Sequence, residues 1–162
     1  MNKEEINSLI NAARIGDLQQ LQAYITERAN LDERDERGYT PLIIACYNNR
    51  YAAAKLLLEA GVDVNAQDFG GNTALMGVAF KGYPDIAELL ISHGADLNIQ
   101  HGNGGTAIMF AALFGRNNLV ELLLNHGADV TILEKRGLTV LDLAAQQGNE
   151  EAITIIEKYI TE

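Results

Sequence analysis

Thr40, Thr73, Thr106 and Thr139 stand 33 residues apart, and Gly38, Gly71, Gly104 and Gly137 keep the same interval. It recurs in Gly61, Gly94 and Gly127, in Asp63, Asp96 and Asp129, in Leu57, Leu90, Leu123 and Ile156, and in Cys46, Ala79, Ala112 and Ala145. No insertion breaks the register. A repeat this regular constrains the chain more than any local propensity does. Each period must be one small supersecondary unit, and such units bury their apolar faces only by stacking on neighbours. The frame extends backwards through Ala12-Ala13, Gly16 and Asn30-Leu31. It divides the chain into 2–34, 35–67, 68–100, 101–133 and 134–162, read together as a single domain, 1–162.

Each inner unit predicts two helices and a connection. Thr is a good N-cap because its hydroxyl can accept from a free N–H of the first turn. Pro41 follows Thr40 at the first helical position, where a missing N–H costs nothing. The first helix is Ala-rich and runs to about Asn48, Lys81, Phe114 or Gln147. Gly82, Gly115 and Gly148 mark a tight turn. The second helix carries a leucine face, as in Leu56-Leu57-Leu58, and Pro84 again stands at a helix start. Gly61, Gly94 and Gly127 serve as left-handed stops. The stretch to the next Thr suits a hairpin-like connection, with Asn103-Gly104 its clearest turn signal. In the last helix Ile153, Ile156 and Ile160 are expected to face inward.

Gly38-Tyr39-Thr40-Pro41-Leu42, Leu56-Leu57-Leu58 and Gly61-Val62-Asp63-Val64-Asn65 resemble the ankyrin repeat, and the next two units repeat the pattern. The resemblance implies an all-α solenoid of helix-turn-helix units with short β-hairpin loops, about five repeats including two caps. Departures are local. Where the family often has His after Thr-Pro-Leu, this chain has Ile43, Met76, Met109 and Asp142, which weakens local hydrogen bonding. Pro is replaced by Ala74, Ala107 and Val140, and Asn49 takes an inter-helix glycine position. The first unit lacks the Thr and a glycine.

Composition limits the partner. Twelve Lys and Arg stand against 22 Asp and Glu, a net charge of −10. That balance argues against nucleic acid, whose phosphates are bound by Lys and Arg, and favours a basic protein partner. No apolar run approaches the roughly 20 residues of a membrane helix. The acidic start, Met1-Asn2-Lys3-Glu4-Glu5, lacks the apolar core of a secretory leader, which favours the cytoplasm. A new Met replacing a removed leader would read the same way.

Little in the sequence speaks for catalysis. Ser92 precedes His93, but adjacent helical residues point about 100° apart, so no serine–histidine pair is expected. Cys46 shares a column with alanines and reads as a small core residue. His93 and His126 recur because the repeat recurs, and no cofactor or metal is expected. Asp68-Phe69-Gly70 spells a kinase string without any other kinase part. His101-Gly102-Asn103-Gly104-Gly105 lacks the Lys and the strand–helix context of a phosphate loop. Both strings fall at turn tips. Asn65 and Asn98 stand where some ankyrin domains are hydroxylated.

The resemblance implies a non-enzymatic scaffold, acting as a monomer, that holds a protein on its concave face of hairpin tips and first-helix ends. By position the tips offer Arg37, Tyr39, Phe69, Asn72, Asn103, Lys135, Arg136 and Leu138. The first-helix ends offer Tyr47, Asn48, Phe80, Lys81, Leu113, Phe114, Gln146 and Gln147. Tyr47, Phe80 and Leu113 should form a stripe, with Phe114 beside it. Phe110 aligns with Ile44, Gly77 and Leu143 and reads as core. The fourth unit has three charged residues, Arg116, Glu121 and Asp129, which puts the contact centre on the third and fourth units. The chain looks like small bacterial ankyrin proteins. That likeness implies an adaptor or an immunity-type inhibitor; the alternatives are an accessory of a stress enzyme such as catalase, and a self-associating module.

Overall fold

The structure is a computed structural model and describes residues 1–161. Ten helices follow one another in five consecutive pairs: α1 (Lys3–Ile15) with α2 (Leu18–Thr26), α3 (Pro41–Tyr47) with α4 (Tyr51–Glu59), α5 (Ala74–Lys81) with α6 (Pro84–Ser92), α7 (Ala107–Leu113) with α8 (Asn117–Asn125), and α9 (Val140–Gln146) with α10 (Glu150–Thr161). The first helices of the pairs stack in chain order, α1 on α3 on α5 on α7 on α9. The second helices form a parallel row behind them, α2 to α4 to α6 to α8 to α10.

The columns of the repeat become layers of the core. Leu57, Leu90, Leu123 and Ile156 are all fully buried, between the two rows. Cys46, Ala79 and Ala112 are equally buried where inner helices meet, and their small side chains let those helices approach. Ala145 continues the column but is exposed, with no further helix stacked on it among the described residues. In α10, Ile156 is buried and Ile153 half-buried, but Ile160 is 52% exposed. The inward stripe therefore stops a turn early; Tyr159 packs against the core instead and hydrogen-bonds Asn125 Oδ1.

Helix ends follow the sequence with three informative exceptions. Thr40, Thr73 and Thr139 accept, each at 3.2 Å, from the amides of Ile43, Met76 and Asp142. Thr106 does not: its hydroxyl is buried and has no partner. Two of the four positions lacking the usual His are not idle either, since Met76 Sδ and Asp142 Oδ2 accept from the Thr73 and Thr139 amides at 3.4 and 2.9 Å. Where two glycine columns lack glycine, Arg28 and Asn49 adopt the left-handed conformation, with φ of 57° and 58°.

The connections are turns, and no strand occurs among the described residues. Each tip is closed by a pair of backbone bonds: Asp35 N–H to Tyr39 O, Asp68 to Asn72, His101 to Gly105 and Glu134 to Leu138, at 2.9–3.1 Å, and the amides of Gly38, Gly71, Gly104 and Gly137 back to Asp35, Asp68, His101 and Glu134 O at 2.8–3.0 Å. Both bonds of a tip lie within five residues, so they close a turn and no ladder extends. Adjacent tips are instead tied sideways. Phe69 N–H donates to Arg37 O at 3.3 Å, Gly102 to Gly70 O at 2.9 Å, and Lys135 to Asn103 O at 2.9 Å. Side chains add further ties. Gln67 Nε2 bonds Gly71 O at 2.8 Å and Gln100 O at 3.4 Å, and Gln100 Nε2 bonds Gly104 O and Leu133 O at 2.8 and 3.0 Å. Asn65 and Asn98 accept from the amides of Asp96 and Asp129 at 2.8 and 2.9 Å, which gives both asparagines a structural task between units.

Candidate functional site

The tips project beside the inner helices, and two grooves run in the angle between them. The larger, about 540 Å3, is floored by α3 and α5. Ile43, Ile44, Met76 and Gly77 form its base, and Tyr47, Phe80 and Phe110 its walls. Arg37, Tyr39 and Asn72 come from the tips, and Arg14 from the end of α1. The smaller groove, about 370 Å3, lies between α7 and α9 and has His101, Phe110, Leu113, Lys135 and Arg136 on its wall.

Gly77 lies in the floor of the larger groove. Its column holds Ile44, Phe110 and Leu143 in the other units. Glycine within a helix costs about 1 kcal/mol relative to alanine. Here the Tyr47 ring takes the place of the missing side chain: its Cδ2 would lie 3.4 Å from an added Cβ, in van der Waals contact.

The aromatic stripe exists, but it is displaced by one residue. Tyr47 stacks on Phe80 with ring centres 6.3 Å apart, and Phe80 meets Phe114 edge-on at 4.5 Å. Leu113 is half-buried and packs against the core. Phe114 follows the last turn of α7, at φ −104° and ψ 13°, so its side chain departs from the helical direction of Leu113 and reaches Phe80. Tyr47 and Phe114 are 41% and 48% exposed. Edge-to-face aromatic pairs contribute about 0.5–1.5 kcal/mol beyond burial, enough to hold rings in place that the core does not need.

The remaining candidates divide by location. Lys81 holds its ammonium 4.8 Å from the centre of the Tyr47 ring, which ties it to the stripe rather than to the edge of the face. Phe69 is the most exposed of the large apolar side chains, at 72%, on its tip. Asn72 is half-buried and engaged by Asp68, whose Oδ1 lies 3.2 Å from its Nδ2. Asn103 is exposed at its tip and lines the smaller groove. Arg136 is held by Glu134, Nε to Oε2 at 2.9 Å, and Leu138 is half-buried against the core. Phe110 is half-buried and packs against the core as its column predicts, and it also lines both grooves and presents its ring to His101 at 5.0 Å.

Ser92 and His93 do approach each other, Oγ to Nδ1 at 3.3 Å, contrary to the expectation from helical spacing. His93 is the residue that ends α6, with φ −101° and ψ 17°, so the helical angle between neighbours does not apply. Both side chains contact Leu89 O, at 2.7 Å from Ser92 Oγ and 3.0 Å from His93 Nδ1. The serine proton is thus given to a carbonyl. The arrangement closes a helix end and activates no nucleophile. Burial pushes the Cys46 thiol well above its ordinary value, which keeps it a neutral core group.

The chain matches curated proteins over part of its length. Over 60 residues, 36% of this chain, it is 42% identical to a palmitoyltransferase akr1 of Aspergillus oryzae, and that stretch is 8% of the relative's length. A mitochondrial disaggregase of Homo sapiens matches at 31% over 61 residues, 38% of this chain and 9% of that protein. The chain therefore corresponds to a small fraction of the curated relatives it matches. No helix among the described residues is long and apolar enough to cross a membrane. The family described as ankyrin repeats (3 copies) matches twice, over residues 9–101 and 78–160. With that coverage, and with ten helices stacked in consecutive pairs, the chain belongs to the ankyrin repeat family.

Proposed function

We propose that this chain is a non-enzymatic scaffold, a single domain of five units, that holds a protein partner in the face between its tips and inner helices. Ankyrin repeats typically mediate protein–protein interactions, and that supports a protein as the ligand. The observation that carries the site is the row Tyr47–Phe80–Phe114. Three aromatic rings, each paired with the next and two of them more than two-fifths exposed, line up beside the larger groove. Exposed aromatic clusters of this kind are what interfaces use as anchors. An adaptor or an inhibitor, including an immunity-type inhibitor, would use the face in the same way.

Affinity capture from a cell extract, read by mass spectrometry, tests the reading. Wild type is compared with a Phe80→Asp, Phe114→Asp double variant whose folding is checked by circular dichroism. A partner enriched by wild type and lost with the folded variant is the expected result. Equal retention by both would place the contact elsewhere.

Self-association is a second reading, favoured by two exposed apolar side chains of the fourth unit, Phe114 at 48% and Leu133 at 55%, the latter on the connection after α8. Light scattering at two concentrations decides it, and a strict monomer removes it.

A further inference from the structure

We propose that the larger groove takes an extended acidic peptide segment bearing a large apolar side chain, so that the partner's contact segment has the opposite sign to the one the whole-chain charge suggests. The inference rests on the groove reading above and adds the chemistry of the occupant. The argument is one of charge placement. The chain carries −10 overall, yet the groove presents Arg14 and Arg37 on its wall, and Lys81 reaches over the Tyr47 ring beside it. Among the described residues none of these three cations is in an ion pair with a carboxylate.

The one carboxylate that lines the groove is already engaged. Asp68 Oδ1 accepts from the Gly70 and Asn72 amides at 2.9 and 2.8 Å, and both oxygens receive the Asn72 side-chain amide at 3.2 and 3.3 Å. Three other arginines have structural partners in backbone carbonyls. Arg50 Nε donates to Arg14 O at 2.9 Å, Arg116 Nε to Phe80 O at 3.0 Å, and Arg34 Nη1 to Gly38 O at 3.2 Å. Arg14 and Arg37 are thus exposed cations at the edge of an apolar floor without a carboxylate partner, in a protein that is otherwise acidic. A carboxylate brought there gains charge-assisted hydrogen bonds that salt screens. The part of the groove lined by Tyr47, Met76, Gly77, Phe80 and Phe110 takes one large apolar side chain of the same segment. The acidic remainder of the molecule repels a nucleic acid, which a cationic groove alone would not.

Random-sequence peptides displayed on phage are selected on the immobilised full chain, and a synthetic peptide of the enriched sequence is measured by fluorescence anisotropy. The expected enrichment is for net-negative peptides with a Phe, Leu, Ile or Met. Their affinity should fall roughly tenfold in Arg14→Gln, Arg37→Gln and weaken as salt is raised, since the pairs are partly exposed. Gly77→Leu, which fills the floor and favours the helix, should abolish binding. Lys55→Gln on α4 should not change it. Enrichment of basic or neutral peptides overturns the proposal, and their loss in Gly77→Leu would leave the groove reading standing. Acidic peptides that bind Gly77→Leu as well as wild type overturn both. An oligothymidylate probe that binds more tightly than the selected peptide overturns the proposal in favour of nucleic acid. No enrichment above blank support overturns it as well.

Discussion

Gly102 donates its amide hydrogen to Gly70 O at 2.9 Å, a bond between neighbouring tips that can form only because the residue between them and the next turn, Gly71, has no side chain. A Cβ on Gly71 would stand 2.9 Å from the Gly102 nitrogen, and Gly71 also has φ of 84°. Gly71→Ala should therefore cost more than left-handed strain alone, about 2 kcal/mol or more. Gly137, at φ 82°, has nothing within 4 Å of an added Cβ, so Gly137→Ala should cost about 1–2 kcal/mol. Chemical denaturation of the two variants checks the order; equal losses would remove the tip contact from the explanation.

Thr73 and Thr106 occupy equivalent positions with different hydrogen bonding. Thr73 accepts from Met76, whereas the Thr106 hydroxyl is buried without a partner. Thr73→Val should destabilise by about 1 kcal/mol through loss of the cap. Thr106→Val removes an unsatisfied polar group at nearly constant shape, and should be neutral or stabilising by up to about 1 kcal/mol. Parallel urea melts provide the comparison.

Glu134 closes the last tip, its Oε1 accepting from the Arg136 and Leu138 amides at 2.6 and 3.2 Å. Burial pushes its carboxyl up, but the Arg136 side chain, the two backbone donors and the Arg136 charge outweigh that and hold it below the ordinary 4.5. A depressed carboxyl stabilises the fold above its unfolded value, and that contribution is lost as pH falls through the lower folded value. Amide chemical shifts of Arg136 and Leu138 should move together in a titration whose midpoint lies below 4.5, and Glu134→Gln should abolish it. A midpoint at or above that value would contradict the tip geometry.

Cys46 is fully buried and its thiol is pushed up by burial alone. Reaction with a thiol reagent at mildly alkaline pH should be slow in the native protein and immediate in denaturant. A rate proportional to the fraction unfolded at each denaturant concentration is expected; fast native reaction would mean that the α1, α3 and α5 stack opens locally.

Periodicity made the paired helices and their stacking legible, because each column had to face the same environment in every unit. What it missed lies where a residue leaves the helix or where a column is interrupted. Phe114 supplants Leu113 in the aromatic row because it stands one step past α7, and His93 meets Ser92 for the same reason at the end of α6. Phe110 packs against the core as its column predicts, but it also lines both grooves, which the column did not signal. The expectation of a contact centre on the third and fourth units came from sparse charge; the larger groove, floored by α3 and α5, spans the second and third units, and no charge pattern marks its place. The ties made by Gln67 and Gln100 carry no signal in hydrophobic pattern at all.

The sideways bonds between tips run through main-chain atoms, and a main-chain bond is indifferent to the residue that carries it. Arg37, Phe69, Gly70, Asn103 and Lys135 meet their neighbours in this way. Side chains on these positions that make no bond of their own, such as those of Arg37, Phe69 and Lys135, are thereby free to be exchanged one at a time while the glycines and the Asp68 and Glu134 carboxylates behind them stay in place, and the rim will keep its line. A binding face organised so can drift to a new partner by single substitutions without passing through an unfolded ancestor.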